Sequence, residues 1–87
     1  MGSTKTRTTS HYLYLPDRAS AERAGQALGR AGFRSEIGPA VDGQDWLLVA
    51  THDGVAQKDR EVATQEAMRE IALAVGGQYN GYAVRER

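Results

Sequence analysis

The stretch FRSEIGPAVDGQDWLLVAT, residues 33–51, decides the fold. Phe33, Ser35 and Ile37 fall on one side of an extended chain, and Arg34 and Glu36 on the other. Gly38 and Pro39 end that run or demote its final part to an edge. Asp42-Gly43 tolerates the positive φ that a tight hairpin demands. Trp46 to Thr51 then reads as a strand apolar on both faces, which suits a central position. The stretch therefore reads as two extended segments joined by a tight turn, the second of them central.

Moving outward, a helical pattern lies on each side. From Arg18 to Ala31, the residues Ala21, Ala24, Leu28 and Ala31 recur at helical spacing behind Pro16-Asp17, where Asp17 can cap the first turn. Gly25 and Gly29 weaken this helix, and close approach to a sheet is the expected compensation. Gly32 stops it. From about Lys58 to Val75 a second helix carries Thr64, Ala67, Met68, Ile71, Ala74 and Val75 inward and Glu61, Arg69 and Glu70 outward. Gly76-Gly77 end it.

Outermost are two more strands. His11 to Leu15 is short, aromatic and apolar. Gln78 to Val84 sets Tyr79, Tyr82 and Val84 around Asn80-Gly81. Too little chain follows for a further hairpin, so Asn80-Gly81 predicts a bulge or kink within one strand. The order is βαββαβ, a ferredoxin-like α+β two-layer sandwich with a four-stranded antiparallel sheet and both helices on one face. Residues 10–87 form the single expected domain, and residues 1–9, polar and threonine-rich, a flexible tail.

Composition removes several classes of function. Eighty-seven residues suffice for one domain and leave no room to enclose a large cofactor. Lysine plus arginine and aspartate plus glutamate number 11 each, and without Lys5 and Arg7 of the tail the balance turns slightly acidic. A general nucleic-acid binder advertises a basic excess, which is missing. The absence of cysteine excludes disulfides, thiolate nucleophiles and cysteine zinc sites. No apolar run approaches the roughly 18 residues of a membrane span, and the N-terminus has no signal-type stretch, so the expected location is cytoplasmic.

Candidate chemistry is sparse. Read with the first and third strands as parallel neighbours, His11 and His52 sit at opposite ends, on the order of 15–20 Å apart, and share no metal. His52 and Asp53, adjacent on a strand, point to opposite faces and make no base and orienter. No serine lies in a Gly-x-Ser-x-Gly elbow. The glycines from Gly25 to Gly32 sit late in a helix rather than opening one, so they make no phosphate loop. The carboxylate pairs Glu61 with Glu66 and Asp42 with Asp45 fall on a helix surface and in a turn. The sequence therefore predicts no catalytic residues, no cofactor and no metal.

The aromatics form the stronger lead. In RNA-binding domains of this topology, aromatic side chains on the central strands stack bases across the open sheet face. Tyr12, Tyr14, Trp46 and Tyr82 are placed for such a role. The third strand lacks the basic and glycine residues of an RNA-recognition motif, and no positive field supports stacking. Covering of this face by a partner protein or a second copy is the favoured expectation, with single-stranded RNA binding as the alternative.

The segments His11-Tyr-Leu-Tyr-Leu-Pro-Asp17, Ala31-Gly-Phe33, Asp45-Trp46 and Gly77-Gln-Tyr-Asn-Gly-Tyr82 together resemble the ribonuclease E inhibitor RraB family, the regulators of ribonuclease activity B. The resemblance covers Ser10 to Val84. Its most specific part is the last, where the family shows Tyr-Asp-Gly-Trp; here Asn80 replaces the aspartate and Tyr82 the tryptophan. The resemblance implies a non-catalytic regulator that binds ribonuclease E or a related endoribonuclease. The expected partner-binding residues are Tyr12, Tyr14, Trp46, Tyr79, Asn80 and Tyr82.

Overall fold

A computed structural model describes residues 7–54 and 58–86 of the chain. The elements run β1 (Arg7–Leu15), α1 (Arg18–Arg30), β2 (Arg34–Pro39), β3 (Trp46–Gly54), α2 (Lys58–Ala74) and β4 (Gln78–Glu86). The strands form one antiparallel sheet in the order β2-β3-β1-β4. This is the expected ferredoxin-like sandwich.

β1 begins four residues before the expected start at His11. Thr8 and Thr9 have branched side chains that suit a pleated surface, and they pair with Asp53 and His52 of β3. Arg7 to Thr9 thus belong to the sheet rather than to the expected tail; the rest of that tail, residues 1–6, lies outside the described residues.

Each helix has a local cause. The Asp17 carboxylate accepts from the Ser20 amide at 2.7 Å, and this bond holds its carboxyl below the usual carboxylate range. At the other end of α1, the Phe33 amide donates to the Leu28 carbonyl at 3.0 Å and closes the helix. The Gly77 amide donates likewise to the Ala72 carbonyl at the end of α2, at 2.7 Å.

The core lies between the helices and one face of the sheet. Leu13 and Leu15 of β1, Leu48 and Ala50 of β3, Ala21, Ala24 and Leu28 of α1, and Met68 and Ala72 of α2 make up its buried cluster. Alternation along β1 is complete: the odd positions from Thr9 to Leu15 are buried and the even ones are half-buried. Ala31 caps α1 in the exposed surface rather than extending its stripe. In α2 the inward row is Met68 and Ala72, with Thr64, Ile71 and Val75 half-buried. Ala67 and Ala74, expected inside, are exposed because they lie roughly 120° and 140° around the helix from the centre of that row. Glu61 is outside the residues whose side chains are described.

Of the two helix glycines expected to allow close approach, only Gly25 does so. A methyl group there would meet Ser35 Oγ at 3.3 Å and Ile37 Cδ1 at 3.5 Å, whereas one at Gly29 would meet nothing within 4 Å.

The predicted irregularity in β4 is present. The register between β1 and β4 shifts between His11 and Leu13, at Asn80-Gly81, where Gly81 adopts φ +99. Only glycine takes that conformation without strain.

Candidate functional site

Pairing in an antiparallel sheet puts opposite residues on the same face. Tyr12 pairs with Val49, Tyr14 with Leu47, Ser10 with Thr51 and Thr8 with Asp53. These eight residues occupy the face of the sheet away from the core. One half of it is apolar, formed by Tyr12, Tyr14, Leu47 and Val49, all half-buried. The other half is polar. There the Ser10 and Thr51 hydroxyls lie 3.3 Å apart, the Thr8 hydroxyl donates to Asp53 Oδ1 at 2.6 Å, and Arg34 lies 3.4 Å from Asp53 Oδ2. A depression of about 400 Å³ between β1 and β4 is lined by Thr8, Ser10, Tyr12, Ala83, Val84 and Arg85.

The other expected contact residues are elsewhere. Trp46 pairs with Leu15 and packs, half-buried, against the core, with the Arg18 guanidinium 5.9 Å from its ring centre. Tyr79 pairs with Leu13 and also packs against the core. Asn80 is exposed at the bulge. Tyr82, expected beside Tyr12 and Tyr14, pairs with His11 and so lies on the helix side. The physical reason is the bulge: one extra residue in β4 moves every later side chain to the opposite face. The structure therefore joins Tyr12 to Tyr14 and separates both from Trp46, Tyr79 and Tyr82. Leu47 and Val49 belong to the apolar patch and were not among the expected residues. Their shared parity with Tyr12 and Tyr14 across an antiparallel pair is the signal that finds them.

The two histidines also depart from expectation. β1 and β3 run antiparallel, so Thr9 faces His52 and His11 faces Ala50. The rings are neighbours, with centroids 6.0 Å apart and planes at 6°. The expected separation of 15–20 Å rested on a parallel pair. The chain reverses at the β2–β3 hairpin after a parallel crossover through α1, which makes β1 and β3 opposite. The expectation that His52 and Asp53 point apart holds, since His52 lies on the helix side and Asp53 on the open face.

His11 stands at the centre of an aromatic cluster. Phe33, His52, Tyr79 and Tyr82 all have ring centroids within 6.0 Å of it. Its side chain is 2 % exposed, and its Nδ1 shares a 3.0 Å hydrogen bond with the Tyr79 hydroxyl. Nε2 is buried and has no hydrogen-bond partner among the described residues. Burial, with a smaller contribution from His52, lowers the His11 pKa from 6.5 to about 4. Burial raises that of the Tyr79 phenol. Both groups are thereby kept neutral at ordinary pH, as suits packing. Among the described residues, no three metal-ligating side chains come together. Asp42, paired with Asp45 in the sequence, accepts the backbone amides of Gln44 and Asp45 and so serves its own turn.

The comparisons with known proteins agree with this architecture. A solved structure with similar fold is the YXEP protein of Bacillus subtilis, described as a dinuclear metal binding peptidase from the M20 family. It matches 94% of this chain and 25% of its own length, at 17% identity and a TM-score of 0.50. At that identity the likeness concerns the fold alone. The chain thus spans about a quarter of that protein. No curated protein sequence matches significantly. The family description "Regulator of ribonuclease activity B" matches residues 2–84. With nearly its whole length matched and the sheet and helices in place, the chain belongs to the RraB family of regulators of ribonuclease activity.

Proposed function

We propose that this domain restrains an endoribonuclease, ribonuclease E or a relative, by protein–protein contact through the open face of its sheet, without chemistry of its own. The observation that carries this reading is the patch of Tyr12, Tyr14, Leu47 and Val49 on the two central strands. Aromatic and aliphatic side chains held on a rigid sheet are typical anchors of a protein interface. The mixed rim of Thr8, Ser10, Thr51, Arg34 and Asp53 suits the polar border of such a contact. The histidines, the strongest candidates for chemistry, are occupied in packing. Cytoplasmic residence, where RNA decay proceeds, belongs to the same reading.

The test is binding of the purified domain to ribonuclease E by interferometry. The double variant Tyr12→Ser, Tyr14→Ser should weaken a saturable interaction at least about tenfold, since each lost anchor is worth 1–2 kcal/mol or more. The thermal midpoint reports whether the fold survives. Undiminished binding by the folded variant, or no binding by the native chain, overturns the proposal. A parallel titration with labelled single-stranded RNA at two salt concentrations examines the other occupant of this face. RNA affinity that falls with salt and with the tyrosines would assign the patch to stacking.

A further inference from the structure

β4 is an edge strand with one side unpaired among the described residues. Edge strands invite pairing with another chain unless something blocks them. β2, the opposite edge, is blocked: it is six residues long, ends in Pro39, and carries Arg34 and Glu36. β4 is nine residues long and has no proline. After the bulge its backbone runs in regular register with β1, from Tyr82 opposite His11 to Arg85 opposite Thr8. Along that segment Tyr82 and Val84 are each 41 % exposed although large and hydrophobic.

We infer that β4 pairs with β4 of a second copy of this chain, antiparallel about a two-fold axis at Ala83, to make a continuous eight-stranded sheet. The side chains select both partner and register. With the axis at Ala83, Tyr82 of each copy faces Val84 of the other, so both exposed apolar residues are covered twice over. Ala83 faces its own copy, and Arg85 faces Gly81, so no like charges meet. An axis at Arg85 sets two arginines opposite each other. An axis at Val84 sets Ala83 opposite Arg85 and gives Tyr82 no apolar partner across the pair. An axis at Tyr82 sets Ala83 opposite Gly81 and Val84 opposite Asn80, so Val84 gains no apolar partner. Registers between these are excluded because a two-fold normal to the sheet keeps paired residues on one face. The edge therefore complements itself best in one register, which is the argument for a second copy over an unrelated strand.

A ladder of this length is smaller than a stable interface of roughly 1,200 Å² or more, so the dimer is weak. It is also insensitive to salt, because no charge pair holds it together.

The chain has no cysteine, which makes the register directly testable. Sedimentation equilibrium of the native chain should show a reversible monomer–dimer equilibrium reaching into the high micromolar range, unchanged between low and high salt. Under mild oxidation Ala83→Cys should form a disulfide-linked dimer at least about tenfold faster than Arg85→Cys, whose copies would sit roughly 13 Å apart along the strands. Val84→Lys, folded by circular dichroism, should be monomeric at every loading. A native chain that stays monomeric, equal cross-linking at residues 83 and 85, or a dimer indifferent to Val84→Lys would overturn the inference.

Discussion

At His11 the cost of burial can be read as a pH dependence. The folded protein holds this imidazole neutral, with its pKa lowered to about 4, while an unfolded chain binds the proton near 6.5. The groups that face it, His52, Tyr79, Tyr82 and Phe33, include no carboxylate. Above pH 6.5 both states are neutral and stability is full. As pH falls from there toward 4, only the unfolded state gains a proton, so stability declines, by about 3 kcal/mol over the whole window. Below pH 4 this loss levels off. Urea unfolding at pH 7 and pH 4.5 measures it, and His11→Gln should remove most of the difference. An equal slope in that variant would assign the dependence to other groups. Little of this is legible in the sequence, where a histidine opening an apolar run looks the same whether its ring turns toward helix or solvent.

At the scale of elements, the junction between α2 and β4 carries the tightest constraint. A Cβ at Gly77 would lie 2.5 Å from both Leu15 Cδ2 and the Tyr14 carbonyl oxygen. The leucine could turn aside, but the carbonyl belongs to the paired backbone of β1 and cannot. Gly77→Ala should therefore destabilise by about 1–3 kcal/mol, lowering the thermal midpoint by several degrees at least. An unchanged midpoint would mean that the junction is looser than the contacts indicate. The order of elements, the cap at Asp17 and the bulge at Asn80-Gly81 were all legible, because each rests on residues near one another in sequence. Where Tyr82 points was not. Its sidedness depends on how one extra residue is absorbed in pairing with a strand almost seventy positions away. The nearness of the histidines was available in principle from counting chain reversals, and reading β1 and β3 as parallel lost it.

For the whole molecule, the structure presents two separate surfaces, an open sheet face and an unblocked edge, and the two proposals give them different occupants. The patch of Tyr12, Tyr14, Leu47 and Val49 lies on the central strands, while Tyr82 and Val84 lie at the rim on the helix side. The two contacts should therefore be separable. Val84→Lys is expected to abolish self-association and leave ribonuclease affinity within about twofold, as additivity holds for sites that share no partner. A parallel loss of both in a titration of the folded variant would show that the regulator acts only as a dimer.

The bulge also bears on how this family can diverge. A gain or loss of one codon near Asn80-Gly81 would leave the elements intact and yet exchange which residues of the last strand meet the outside on each side. Ala83 and Arg85 would take the neighbourhood of His11, and Tyr82 and Val84 would join Tyr12. Such a gap looks trivial in an alignment. In this chain it is the shortest mutational step between two different contact surfaces, and relatives that differ in length at that point should differ in what they bind.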